Sequence, residues 1–353
     1  MVSGEAYESL AAALNRLPNG FPRTRFNTEI QLLQKIFSRV EAELAGELRG
    51  EMEPVSLIAT RIGLPSDTVG RKLVSMARRG LVWGGSRDGE ACFRLAPFIV
   101  GIYEAQLDNM DKEMATLFEK YMKDGGAKGM MEAYPALHRV VPAHGSVRSD
   151  WILPYDDVKK IIFEAKHFRV RGCICRVQQD LLGTRKCDFP IENCLMLSHI
   201  ERPPQPDDIG RERALELLDE AEEAGLVHTA SNTIHGLSYV CNCCGCCCGI
   251  LRGINDWGVE SSIARANYLA RIDDSKCTGC GVCVERCQVG AILEADGRYT
   301  VNRDRCIGCG LCVSTCPGEA IELERKRDED IQHPPRDYSA WEEMRRHSRG
   351  LEQ

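Results

Sequence analysis

The chain has 353 residues, 43% of them hydrophobic, and a formal charge of −7. That length allows two or three domains with buried cores, and the acidic balance argues against a protein that coats nucleic acid. The N-terminal stretch MVSGEAYESLAAALNRLPNGF has neither a basic n-region nor an apolar h-region, and no apolar run reaches membrane-spanning length, so a cytoplasmic protein without a membrane span is expected. Cytosolic thiols stay reduced, so metal ligation rather than disulfide formation is the expected use of most of the 19 cysteines, with one or two as plain core residues.

Residues 1–27 read as an N-terminal arm. Residues 28–45, TEIQLLQKIFSRVEAELA, place Ile30, Leu33, Ile36, Phe37, Val40 and Leu44 at helical spacing behind a Thr28 cap, which predicts one amphipathic helix. SLIATRIGLPSDTVGRKLVSMARRGLV predicts a short helix, a turn at Gly63 to Pro65 and a second helix opened by Ser66 or Asp67. WGGSRDGEACFRL predicts two strands about a turn at Arg87 to Gly89. The order helix, helix, helix, strand, turn, strand over 28–96 resembles the winged helix-turn-helix of MarR-type regulators, so 28–100 is expected to be a winged-helix-like domain. That resemblance makes Ser66, Thr68, Arg71, Lys72 and Arg87 the candidate DNA contacts. Ten Lys and Arg against nine acidic residues over 28–96 attract phosphate weakly, so docking of a partner protein is preferred to DNA.

An apolar stripe over 97–123 (Ile99, Ile102, Leu107, Met110, Met114, Leu117, Phe118) predicts another helix, and 101–172 reads as a helical linker region. Gly125, Gly126 and Gly129 follow no strand, which excludes a dinucleotide-binding loop there. Residues 173–270 are expected to form a helical cysteine-rich domain, with GRERALELLDEAEEAGLVH as its charged helix. Residues 325–353 read as a solvated charged tail.

Within 277–321 the chain repeats itself. CTGCGVCVERCQVGAI and CIGCGLCVSTCPGEAI align at a constant offset of 29, each with the spacing C-x2-C-x2-C-x3-C. Three thiolates on one tight loop grip one iron–sulfur cubane while the fourth reaches a neighbouring cluster. Glycines 279, 281, 308 and 310 suit such loops. Residues 271–324 closely resemble the bacterial two-cluster ferredoxins. The resemblance implies two 4Fe-4S clusters, one on Cys277, Cys280, Cys283 and Cys316, the other on Cys306, Cys309, Cys312 and Cys287. The proline after the last cysteine is present as Pro317 but is Gln288 in the first half, a departure expected to touch only the local turn. A pair of zinc sites is disfavoured, because zinc prefers separate C-x2-C knuckles to this crossed run.

Of the remaining cysteines, Cys92 sits alone beside Phe93 and reads as a core residue. The other ten are Cys173, Cys175, Cys187, Cys194 and, in YVCNCCGCCCGIL, Cys241, Cys243, Cys244, Cys246, Cys247 and Cys248. Adjacent cysteines point their sulfurs apart, so the run cannot serve one cubane alone, and one or two further clusters are expected. One grouping joins Cys173, Cys175, Cys187 and Cys194, with Arg176 beside them and zinc as the competing metal. A second mixes Cys173 and Cys175 with part of the run. Cys241 and Cys244, in C-x-x-C relation, are the favoured ligands of a common cluster, with Cys247 and Cys248 as extras. The C-x-C-R and CNCC-x-CCC blocks ahead of a ferredoxin end resemble uncharacterised iron–sulfur proteins of anaerobic bacteria, a likeness that implies no activity. There is no radical S-adenosylmethionine motif, haem motif or Walker A loop. His138, His144, His199, His228 and His235 receive no role.

The expectation is therefore an α+β, multi-domain protein: a winged helix, a helical cysteine-rich middle and a two-cluster ferredoxin end. It is expected to pass single electrons at low potential between redox partners such as an oxidoreductase or a flavoprotein. A redox-sensing winged-helix regulator and an oxidoreductase subunit with its catalytic site at Cys241–Cys248 are the alternatives.

Overall fold

The computed structural model describes residues 4–351. They divide into two units. One takes the chain up to Ala133 with Val177–Thr184 and the chain from Glu343, and the other takes Tyr134–Arg176 and Arg185–Glu342.

The first unit opens with helices α1 (Glu5–Asn15), α2 (Thr28–Ile36) and α3 (Arg39–Gly46). The single helix expected over 28–45 is two. Ser38 Oγ accepts the Glu41 amide while the Glu41 carboxylate accepts the Ser38 amide, a capping box that starts a new helix at Arg39. Thr28 is not the cap either. Asn27 takes that position in the left-handed region, and the Thr28 hydroxyl bonds Asp124 at 3.0 Å. Strand β1 (Glu53–Pro54) leads into α4 (Val55–Ile62), which Gly63 closes at φ 68°. Pro65 then opens α5 (Ser66–Arg78). Strands β2 (Val82–Arg87) and β3 (Glu90–Leu95) pair antiparallel about Asp88 and Gly89, both at positive φ, and β1 adds to β3 to give the order β1-β3-β2. Ile58, Val69, Leu73, Met76, Cys92 and Leu95 are buried in this part.

The helix expected over 97–123 is broken. Short irregular turns run to Asn109, and only at Asp111, whose carboxylate accepts the Met114 amide at 2.8 Å, does α6 (Lys112–Tyr121) begin. Gly125, at φ 116°, separates it from α7 (Ala127–Met131). The apolar spacing served an aromatic cluster instead: Phe21 lies 4.5 Å from Phe98 and Tyr103 stacks on Phe118 at 3.8 Å, measured between ring centroids.

The second unit holds the region expected to be helical, and much of it is sheet. Strands β4 (His138–Val141), β5 (His167–Gly172), β6 (Glu192–Ser198), β7 (Val227–Ser231), β8 (Tyr239–Cys243) and β9 (Ile263–Ala264) form one sheet in the order β5-β6-β8-β7-β4-β9. All neighbours are antiparallel except β4 and β9. Asn193, Leu195 and Leu197 alternate inward along β6, the period of two of a strand buried on one face. Helices α8 (Val158–Glu164) and α10 (Arg211–Ala224) cover the sheet through Ile161, Ile162, Leu217 and Leu218 against Phe168, Leu195 and Val240. Between them α9 (Ile174–Leu182) follows β5, and α11 (Gly249–Asp256) follows β8 with Cys248 at its N-cap.

The 29-residue repeat is realised twice. Strand β10 (Tyr268–Ile272) precedes α12 (Val282–Arg286) and β11 (Ile292–Ala295). Strand β12 (Arg298–Val301), hairpinned to β11, precedes α13 (Leu311–Ser314) and β13 (Ile321–Arg325), which pairs back on β10. The expected solvated tail instead forms α14 (Tyr338–Ser348), in which Trp341 and Arg345 are buried. Arg345 donates to the backbone oxygens of Pro18, Met130 and Ala133, giving its charge partners away from water.

Candidate metal centres

The two repeat loops turn on left-handed glycines. At Gly308 (φ 70°) an added Cβ would also stand 2.4 Å from the Tyr268 backbone oxygen, so neither the angle nor the space admits a side chain. Cys306, Cys309 and Cys312 of the second loop and Cys287 of the first line one cavity, closed by Val289, Ile307 and Leu311. Cys287 Sγ accepts the Ala291 amide at 3.1 Å, and at the equivalent place in the repeat Cys316 Sγ accepts the Ala320 amide at 3.3 Å. Burial, then the neighbouring Cys287 and Cys306, pushes the Cys309 thiol up to about 12, and burial, then Cys309, Cys306 and Cys287, raises Cys312 as well. Such thiols ionise together only against a cation, and the donor set fits a cubane. In the other set, burial followed by Cys277 and Cys280 raises Cys283. Gly318, two residues after Cys316, lies against the Lys276 backbone oxygen beside Cys277, so the fourth cysteine approaches the first loop. Cys280 is exposed.

The ten middle cysteines fall into two groups. Cys187, in the irregular segment before β6, meets Cys244, Cys246 and Cys247 from the turn after β8. Their four Sγ atoms all lie within 4.8 Å of one another, against Ala221, Leu226 and Phe189. The other six form a chain of contacts. Cys173 touches Cys175 and Cys194, Cys175 touches Cys248, Cys248 touches Cys243, and Cys194 touches Cys241. Sheet register makes the last contact, because β6 and β8 pair Cys194 directly with Cys241.

The first expected grouping is divided, whereas the second, Cys173 and Cys175 with part of the run, is brought together with Cys194 added. Cys187 stands apart from Cys173, Cys175 and Cys194, while those three do join part of the run. Cys241 and Cys244 part, because Cys241 and Cys243 share a face of β8 and Cys244 lies beyond its end. Cys247 belongs to the set of four and Cys248 to the set of six; neither is spare.

Arg176, fully buried, lies beside both groups. It donates to the Pro190 and Asn242 backbone oxygens at 2.8 Å each, and its guanidinium reaches Cys244 with Cys173 and Cys243 nearby. Burial opposes its charge, yet the neighbouring sulfurs outweigh that and hold its pKa above the usual value. Contacts from neighbouring thiols, then Arg176, hold Cys173 and Cys244 below the usual thiol range.

Gln288, read from the sequence as a turn detail, ties the two regions together. Its Oε1 accepts the Gly245 amide at 2.7 Å and its Nε2 donates to the Gly225 oxygen at 2.9 Å. Asn255 Nδ2 donates to both the Gly245 and Gln288 oxygens. The residue after Cys287 is thus bonded to the residue between Cys244 and Cys246. Its signal in the sequence was the lapse of the repeat at the proline position. Buried histidines are satisfied within the fold: His228 bonds Asn242 and Glu222, and Tyr239 Oη lies 3.0 Å from His138 Nε2.

Residues 270–323 match the family described as "4Fe-4S dicluster domain". No curated protein matches the chain. Among the described residues, no helix is long and apolar enough to cross a membrane.

Proposed function

We propose that the protein is an iron–sulfur electron carrier, passing single electrons at low potential between redox partner proteins in the cytoplasm. Two cubanes belong to residues 270–323, and a further iron–sulfur centre belongs to the six thiols Cys173, Cys175, Cys194, Cys241, Cys243 and Cys248. The observation that carries this reading is the cavity closed by Cys287 of one repeat and Cys306, Cys309 and Cys312 of the other, bonded onward through Gln288 to the cysteine run. When bound, the clusters supply one-electron exchange between ferrous and ferric iron.

The chain's own residues set the conditions. The Ala291 and Ala320 amides donate to ligand sulfurs, which favours the more negative, reduced state. Val289, Ile307 and Leu311 keep water from one cavity, and Arg176 offsets charge among the middle thiols. Exposed Cys280 marks the side on which a partner such as an oxidoreductase or flavoprotein exchanges electrons. A catalytic site at the run is less favoured, since four of its six cysteines, Cys243, Cys244, Cys247 and Cys248, are buried and Cys241 and Cys246 are partly exposed.

In the same reading α2 to β3 is a winged-helix-like docking module. Leu57, Leu64 and Val74 are exposed, and an apolar groove lined by Val74, Ala77, Trp83 and Phe93 runs between α5 and the hairpin. These features suit a protein surface better than phosphate, which favours docking over the DNA-binding regulator.

Anaerobically purified protein is expected to carry at least about eight irons and, after dithionite, to show paramagnetic resonance signals of reduced cubanes. Zinc in their place, or no such signal, overturns the reading.

A further inference from the structure

Three of the sulfur separations in the set of four are 3.8 Å from Cys187 to Cys244, 3.8 Å from Cys187 to Cys247 and 3.6 Å from Cys246 to Cys247, and all six lie within 4.8 Å. A tetrahedron of thiolates around one zinc ion, with Zn–S bonds of about 2.3 Å, has edges of about 3.8 Å. A cubane gives each of its four thiolates a different iron and spreads the sulfurs wider. The chain carries its own comparison. Among the described residues no other three Cys, His, Asp or Glu groups bring their ligand atoms within 4.8 Å of one another, and the ferredoxin quartets do not.

We infer that Cys187, Cys244, Cys246 and Cys247 bind a single zinc-type divalent ion in an all-thiolate tetrahedral site, distinct from the iron–sulfur centres. The donors are soft sulfur throughout, as such an ion prefers. The surroundings are Ala221, Leu226 and Phe189, with no oxygen ligand among the four and the Arg176 cation beside Cys244 to offset the excess negative charge. Binding displaces the thiol protons to solvent and changes no oxidation state. The ion has a structural task. Three ligands lie in one four-residue turn, whereas Cys187 lies in a segment without helix or strand, so coordination pins that segment to the turn. The same turn holds Gly245, which receives Gln288, and stands between Cys243 and Cys248 of the six-thiol group. The closed quartet is therefore the scaffold on which the redox part of the run is mounted.

The test is zinc-edge X-ray absorption on anaerobically purified full-length protein from cells supplied with both iron and zinc. The expected result is about one zinc per chain with four sulfurs at about 2.3 Å and no iron neighbour. Cys187→Ser and Cys246→Ser are expected to lose the zinc and keep the wild-type iron content. Zinc well below one per chain, oxygen or nitrogen in its shell, or iron falling with either variant overturns the inference. The wild-type spectrum decides the matter even where a variant fails to fold. The electron-transfer reading rests on the reduced-cubane signals, so each idea fails by its own measurement.

Discussion

Gln288 shows how much one side chain carries here. Replacing it with Ala leaves the Gly245 amide and the Gly225 oxygen without their partners, a loss of about 1–3 kcal/mol for each buried group left unsatisfied. The cysteines are untouched, so Gln288→Ala is expected to keep its iron while electron delivery from the ferredoxin clusters to the middle centre slows. Rapid-mixing reduction followed at both sets of signals checks this; unchanged rates would show that the bonded link is only structural. His138 sets a pH response. Burial pushes it down to about 4 from an ordinary 6.5, and the neutral ring is what the fold accommodates. The folded state therefore holds fewer protons than the unfolded one between those values. Stability is full above about pH 6.5 and falls as pH drops towards 4, by at most about 3 kcal/mol. Thermal unfolding from pH 7.5 to 4.5 is expected to show a slope at the acid end that His138→Gln flattens.

Among elements, the two repeat loops are separable in function though crossed in ligation. Gly308→Ala forces a Cβ onto the Tyr268 backbone oxygen from a left-handed angle, so the second loop must move. The expected outcome is loss of about four irons with the Cys277, Cys280 and Cys283 loop still loaded. Iron counting by Mössbauer spectroscopy decides it, and full occupancy would show the loop to be pliable. Strand β10 sets where a ferredoxin fragment has to begin. It pairs with β13 from Tyr268↔Arg325 to Ile272↔Ile321, and a start at Arg271 deletes three of those five pairs. A fragment starting at Ala266 is expected to melt higher than one starting at Arg271, by calorimetry on the iron-loaded forms.

At the scale of the whole molecule the two units carry different chemistry. All eighteen cysteines proposed to bind metal belong to the second, and the first holds Cys92, buried beside Phe93. If the first unit is a docking module, full-length protein is expected to bind DNA weakly and with strong salt dependence, and equally in its reduced and oxidised states. A gel shift on its own upstream region checks this. Tight sequence-selective binding that changed with oxidation would restore the regulator.

What the amino-acid order determined alone is the chemistry written in short spacings. Cys306, Cys309 and Cys312 of the second C-x2-C-x2-C loop reach one cavity because the loop is local, and the 29-residue offset announced the two copies. Turn and cap signals placed α4, α5, β2 and β3 for the same reason, since their geometry is settled within a few residues. The partition of the ten middle thiols was decided only by tertiary structure. Cys194 meets Cys241 through the register of β6 on β8, and Cys187 meets the run across nearly sixty intervening residues. Alternation along β8 and its end after Cys243 then send neighbouring cysteines to different groups. Long-range pairing of this kind depends on which strands adjoin, and no spacing within a single segment of the chain encodes it.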